Sequence, residues 1–320
     1  MSANLQNPIF TDETEARKWL ETRIWPNGPV CPHCGNADQS RITAMHGKVH
    51  RAGLYQCNEP ECREQFTVTV GTVFERSKIP LTKWLAALFL LCASKKGMST
   101  HQMHRMLGVS YKSTWFMTHR LREAMRSGDL SPLGGEGKTV EVDETYIGRL
   151  QGQVKDAKSR GGAHKNIVLT LVERGGAARS FHVDSTSIAD VVPIVKANVA
   201  RETAMMTDTA SEFRTMGHFA SHDMVNHTAK EYARYVGETV ISTNAVEGYY
   251  SIFKRGMKGV YQHCGEKHLH RYLAEFDFRY SNRVTLGFDD MQRAEKMAKG
   301  IVGKRLTYRR PNKENSVAPF

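Results

Sequence analysis

The chain has 320 residues, 40% hydrophobic and 24% charged, a composition that excludes a disordered polymer and leaves room for two or three folded domains. Its formal net charge of +12 exceeds what solubility requires and points to a polyanion, nucleic acid first. No run approaches the roughly 20 apolar residues of a membrane span, and no basic segment leads into an apolar core near the start, so a cytoplasmic protein without disulfides or membrane contact is expected.

Residues 1–30 open with a helix that Thr11 or Asp12 can cap, with Ala16, Trp19 and Leu20 as its apolar stripe. The stretch from Trp25 to Pro29 then forces a turn. Cys31 and Cys34 follow with two residues between them, and Cys57 and Cys62 with four. A two-residue gap lets both thiolates reach one tetrahedral ion at about 2.3 Å, so these four cysteines predict one structural zinc, with His46 and His50 as reserve ligands. Cys92 and Cys264 stand apart and are expected to pack as small hydrophobes. The alternation from Phe66 to Val70 predicts a strand.

Residues 80–127 read as helices broken at Gly97 and Gly108. Residues 98–107 form one helix, Gly108, Val109 and Ser110 a turn, and residues 111–125 a second helix, which is the pattern of a helix-turn-helix. Tyr111, Lys112 and Ser113 would project from the first turn of the recognition helix toward base edges. His119, Arg120 and Arg122 would meet phosphates. An ordinary helical hairpin is the competing reading. Residues 131–137 are the best linker candidate.

Beyond the linker the period changes. Residues 140–143, 167–172 and 179–183 read as strands, with Gly175 and Gly176 turning between the last two. A helix over 187–201, a short strand ending at Asp208, and helices from about 244 and over 267–282 complete a mixed α/β layer fold. Asp143 lies in the first strand on the same face as Glu141 and Thr145, Asp208 ends a later strand, and Glu247 begins a helix. Three carboxylates so placed suit two Mg²⁺ (or Mn²⁺) ions in phosphodiester chemistry, because hard cations prefer oxygen ligands. Lys254, two helical turns after Glu247, is placed to hold a phosphate. Glu247 has a competing role as a capping residue three positions after Asn244. His218, His222 and His227 are read as polar loop or DNA-facing residues rather than metal ligands.

In order, spacing and residue type, several blocks agree with one family. They are Cys31 to Gly35, Gly71 to Phe74, Pro80 to Trp84, Lys96 to Ser99, Leu107 to Ser110, Val140 to Gly148, Thr243 to Gly248, Lys254 to Gly256, Lys267 to Leu269 and Phe278 to Arg283. Over roughly residues 15–290 the chain resembles bacterial insertion-sequence transposases of the ISXO-like group, with a DDE-type catalytic domain. The resemblance implies a ribonuclease-H-like mixed sheet with flanking helices, a triad of Asp143, Asp208 and Glu247, and Lys254 as the cation that often follows the third acid. It implies an enzyme that binds the terminal inverted repeats of its element, cuts double-stranded DNA and joins it to a target, as a homo-oligomer on DNA. A DNA-binding regulator with a silent catalytic domain and a stand-alone nuclease are the alternatives. The expected domains are helix and ribbon at 1–75, helix-turn-helix at 76–130, catalytic domain at 138–295 and a loosely ordered basic tail at 296–320.

Overall fold

The computed structural model describes residues 5–47, 49–126, 128, 131–150, 152, 162, 164–210, 213, 217–237 and 239–307. They fall into two compact units. The first takes in the chain up to residue 93, residues 100–125 and those from 290 onward; the second holds 94–99 and 126–289.

In the first unit, α1 (Glu13–Ile24) starts at Asp12, whose carboxylate accepts from the N–H groups of Thr14 (2.6 Å) and Glu15 (3.1 Å). Three short strands, β1 (Ile42–Met45), β2 (Leu54–Cys57) and β3 (Gln65–Phe66), form an antiparallel sheet in that order. The strand expected to reach Val70 stops at Phe66. The backbone turns there, with Val70 N–H donating to the Thr67 carbonyl at 3.0 Å. Helix α2 (Leu81–Ala93) is buried on nearly every side, with Trp84, Leu85, Leu88 and Leu91 in the core. Its cap comes from another helix: the Glu13 carboxylate accepts from Leu81 N–H (3.0 Å), Thr82 N–H (2.9 Å) and the Thr82 hydroxyl (2.6 Å). These contacts hold the Glu13 carboxyl below its ordinary pKa despite the cost of its burial.

Helices α3 (Thr100–Leu107) and α4 (Tyr111–Met125) flank a turn where Gly108 has φ +62°, the left-handed conformation that favours glycine. Ser110 caps α4 through Oγ, which accepts from Ser113 N–H at 3.2 Å. The domain boundaries drawn from the sequence differ from these units. Ribbon and helix-turn-helix share one unit. Helix α8 (Asp290–Lys299) joins it too, where the catalytic domain was expected to run to 295. The chain after 296 is packed rather than loose as far as it is described. Ile301 is fully buried, and Gly303 N–H donates to the Gly71 carbonyl at 2.9 Å. The remainder of the expected basic tail lies outside the described residues.

The second unit is built on a five-stranded sheet of β4 (Thr139–Ile147), β5 (Asn166–Glu173), β6 (Ala178–Val183), β7 (Ala204–Asp208) and β8 (Ser221–Val225), in the order β6-β5-β4-β7-β8. β5 is antiparallel to β4 and β6, whereas β7 runs parallel to β4 and β8 to β7. This is the ribonuclease-H-like mixed sheet, flanked by helices on both faces. On one face α5 (Ile188–Asn198) packs Val191 and Val195 against Val140, Val142, Leu169 and Leu171. On the other, α6 (Asn244–Gly256) and α7 (Leu269–Ser281) bring Val246, Tyr249, Phe253, Leu273 and Phe276 onto Val168 and Val172. The pleat of β4 therefore sends Glu141, Asp143 and Thr145 toward α6. A hairpin of β9 (Ala233–Val236) and β10 (Thr239–Ser242), not foreseen from the sequence, leads into α6. No helix among the described residues is long and apolar enough to cross a membrane.

The chain has four tryptophans, at positions 19, 25, 84 and 115, all in the first unit, so tryptophan fluorescence follows that unit alone. Replacing Glu13 with Ala removes the cap of α2, and urea unfolding followed by this fluorescence should show a loss of about 1–2 kcal/mol. An unchanged midpoint would contradict the capping role.

Candidate active site and metal centre

The first zinc ligands, Cys31 and Cys34, lie on a turn where Gly35 N–H donates to the Cys31 carbonyl at 2.9 Å. Cys57 ends β2, and Cys62 follows in the next turn. Sulfur–sulfur distances of 3.7 Å separate Cys31 from Cys62 and Cys34 from Cys57. All four sulfurs lie within 4.8 Å of one another. A tetrahedral ion with bonds of about 2.3 Å has ligand–ligand edges of about 3.8 Å, which the two short pairs match, so the set suits one zinc ion. The irregular gap in the second pair is absorbed by the turn that carries Cys62. Trp25, Tyr55 and Phe66 pack as mutually contacting rings behind the sulfurs. A core this small depends on the metal to hold it together.

On the helix-turn-helix, Tyr111, Lys112 and Ser113 are exposed at the start of α4, as a groove-reading turn requires. Tyr111 is 43% exposed and stacks on His101 at 4.3 Å between ring centroids. The phosphate-contacting role expected of Arg120 and Arg122 is overturned. Arg120 is 8% exposed and donates to the carbonyls of Leu306 and Glu75, both at 3.0 Å, and Arg122 is 1% exposed and donates to the Thr118 hydroxyl at 3.3 Å. His119 is likewise buried. By this part of α4 the helix is enclosed, and its arginines serve the interior of the unit rather than a ligand.

The acidic residues of the second unit come together on the α6 side of the sheet. The parallel register pairs Glu141 of β4 with Met206 of β7. Two residues further along both strands, the same register leads to Asp143 and Asp208, on neighbouring strands whose usual separation is about 4.8 Å. Asp208 Oδ1 accepts from Ala210 N–H at 2.9 Å, and Asp143 Oδ1 from Glu144 N–H at 2.8 Å. Glu247, in the first turn of α6, is the exposed member. Its Oε1 accepts from the Thr243 hydroxyl at 2.9 Å and lies 3.3 Å from His227 Nε2. The competing capping role for Glu247 is not formed: the N-cap is Thr243, and no side chain of the helix's own start bonds its free N–H groups.

The Asp143 carboxyl is pushed up to about 7, first by burial, then by the negative charges of Asp208 and Glu247, with Lys254 pulling the other way. Asp143 is therefore the acid that feels the charge of both others. Lys254 Nζ lies over the Tyr250 ring at 5.7 Å, and the Tyr250 hydroxyl donates to the Asp143 carbonyl at 2.6 Å. Among the described residues the four cysteines are the only group of three or more ligands close enough to share a single ion. Two ions bridged by a central carboxylate do not require all three acids within one ion's reach. A set of mutually repelling oxygen donors suits hard divalent cations rather than zinc.

Of the three histidines, His222 is on β8 rather than in a loop. Its Nε2 lies 2.9 Å from the Thr207 hydroxyl, and burial lowers its pKa. His227 sits against Glu247 and packs on Tyr232. No periodicity or motif in the sequence marks it, because its segment, residues 227–229, is a single turn of 3₁₀ helix.

Residues 11–65 match the family of the transposase zinc-ribbon domain, and residues 132–281 that of the ISXO2-like transposase domain. A protein of Halobacterium salinarum, described as an uncharacterized protein in transposable element ISH50, is 26% identical over 291 residues, covering 84% of this chain and 91% of its own length.

A carboxyl whose pKa is raised on folding favours the folded state at low pH and costs stability as pH rises from the ordinary carboxylate range to about 7. Without divalent ions, the Asp143→Asn protein should match wild type near pH 4. At pH 8 it should be the more stable, by about 1–2 kcal/mol, or roughly 3–8 °C in the unfolding of the second unit. Equal midpoints at pH 8 would show that folding does not raise the Asp143 carboxyl. Zinc chelation should collapse the tryptophan fluorescence of the first unit while leaving the helical signal of the second in place.

Proposed function

Because the chain is an insertion-sequence transposase of the ISXO2-like group, with a transposase zinc ribbon ahead of the ISXO2-like domain, we propose that it binds the terminal inverted repeats of its own element and catalyses cleavage and strand transfer at the acidic site. The observation that carries this is the gathering of Asp143, Asp208 and Glu247 from three separate elements on one side of the sheet, where burial first and then the charges of the other two acids push the Asp143 carboxyl up to about 7. Repelling acids gathered on a ligand-facing surface are costly unless a cation serves them.

Asp143, Asp208 and Glu247 would hold Mg²⁺ or Mn²⁺. Such ions, when bound, would supply Lewis-acid stabilisation of the attacking and leaving oxygens. Lys254, on the same helix as Glu247, binds a phosphate beside the scissile one and keeps the strand from sliding. In the first reaction, water attacks phosphorus at the element's end; the P–O3′ bond breaks and leaves a 3′-hydroxyl and a 5′-phosphate. In the second, that hydroxyl attacks phosphorus in the target, forming one phosphodiester as another breaks. Both are in-line displacements, so one site serves both. Tyr111, Lys112 and Ser113 read the repeat in the major groove. Joining two ends to one target calls for at least a dimer on DNA.

With Mg²⁺ and a labelled inverted-repeat end, the purified full chain should nick the end and join it to a plasmid. Asp143→Asn should lower both rates by roughly two to three orders of magnitude or more. Nicking without joining would identify a nuclease; binding without nicking, a regulator. Lys112→Ala should cost about 1–3 kcal/mol of binding to the repeat and relax the preference for its sequence. Arg120→Ala should leave that preference alone and instead destabilise the first unit.

A further inference from the structure

Two residues before Asp143, on the same face of β4, lies a carboxylate that the chemistry above leaves unused. Glu141 is 1% exposed. Its Oε1 accepts from Arg174 Nε at 2.6 Å, and its Oε2 accepts from the backbone N–H groups of Ala245 (2.7 Å) and Val246 (3.0 Å), in the first turn of α6. Arg174 reaches onward, donating to the Val240 carbonyl (2.6 Å) and to the carbonyl and hydroxyl of Ser242 (2.9 and 3.0 Å). One ion pair thus joins the strand that carries Asp143 to the strand entering α6 and to the start of α6 itself.

The pattern is specific in a way that apolar packing is not. A helix lying on an apolar surface can turn about its axis or slide at little cost. A carboxylate bonded to two successive N–H groups fixes both rotation and height, and the helix's positive end favours the charge that does so. The guanidinium fork then fixes the incoming strand, and the buried carboxylate and the half-buried guanidinium both find their hydrogen bonds. Val246 is the residue immediately before Glu247. Wherever Glu141 holds Val246 N–H, Glu247 follows.

We propose that Glu141 and Arg174 are positioning residues of the acidic site: they hold α6 at the rotation and height where Glu247 faces Asp143, so the site's affinity for divalent metal depends on a pair that never touches the ion. This rests on the reading of Asp143, Asp208 and Glu247 as metal ligands.

The test uses the zinc-loaded full chain at low temperature, with Mn²⁺ alone as probe, titrated calorimetrically, and with amide exchange followed at Ala245 and Val246. Glu141→Gln keeps the side chain's size and removes its charge. It should keep its circular dichroism, exchange faster at those two amides, and bind Mn²⁺ about 10- to 100-fold more weakly at unchanged stoichiometry. Arg174→Lys keeps a charge without the fork and should weaken binding in the same direction. If Glu141→Gln does not fold, Arg174→Lys decides by the same comparison. A folded variant with wild-type Mn²⁺ affinity overturns the proposal, as does a loss of affinity no larger than its unfolded fraction accounts for. Asp143→Asn is the separate control. If it binds Mn²⁺ as tightly as wild type, the ligand assignment itself is at fault, whatever the Glu141 variant does.

Discussion

The second unit turns on a charge it has to bury. Glu141 points from β4 into the layer beneath α6, where an unpaired carboxylate would cost more than a small protein's stability allows. Arg174 and two backbone N–H groups satisfy it, and in doing so they decide where α6 begins. Sheet and helix are then one frame, with Asp143 and Glu247 on its two sides. The hydroxyl of Tyr250 adds a second tie from α6 to the backbone of Asp143 itself. The same device recurs in the first unit, where Glu13 of α1 caps α2. In both, a helix start is set by a carboxylate from elsewhere in the chain, so the element's position and its local stability come from one contact.

The cysteine cluster and the proposed acidic site illustrate opposite uses of a ligand set. The cysteines are drawn close around a small ring cluster and have nothing else to do; their ion replaces a hydrophobic core that about fifty residues cannot supply. The acids are held apart, partly buried and partly open, and the repulsion among them is kept rather than relieved. Stability lost in this way is common where a protein must bind charge, since the same arrangement that disfavours the empty carboxylates favours the cation and the phosphates it brings. Rigid elements carry both acids whose spacing matters most, which suits a reaction that depends on in-line geometry.

Much of the candidate site is legible in the residues themselves, and the reasons are local. Cysteine spacing, the turn at Gly108 and the alternation of β4 are short-range patterns with direct physical meaning. So are Asp143 in a strand and Glu247 at a helix start. What escaped reading was long-range. The helix start at Asn244 and Glu247 suggested a local cap, yet the cap lies 104 residues away in sequence. Arg120 and Arg122 looked like a basic face because the pattern of one helix does not tell how many sides of it are covered; α4 is open at its first turn and enclosed further on. The hairpin before α6 and the packing of α8 in the first unit were missed for a similar reason. Short exposed strands carry little periodic signal, and which core a helix joins is not written in its own stripe.

The most direct measurement is anomalous scattering from crystals of the full chain grown with Mn²⁺. Two manganese peaks about 3.5–4 Å apart are expected, with Asp143 reaching both and Asp208 and Glu247 one on each side. Manganese bound elsewhere, or these three carboxylates standing more than about 10 Å apart, beyond the span of any two-ion site, would contradict the assignment.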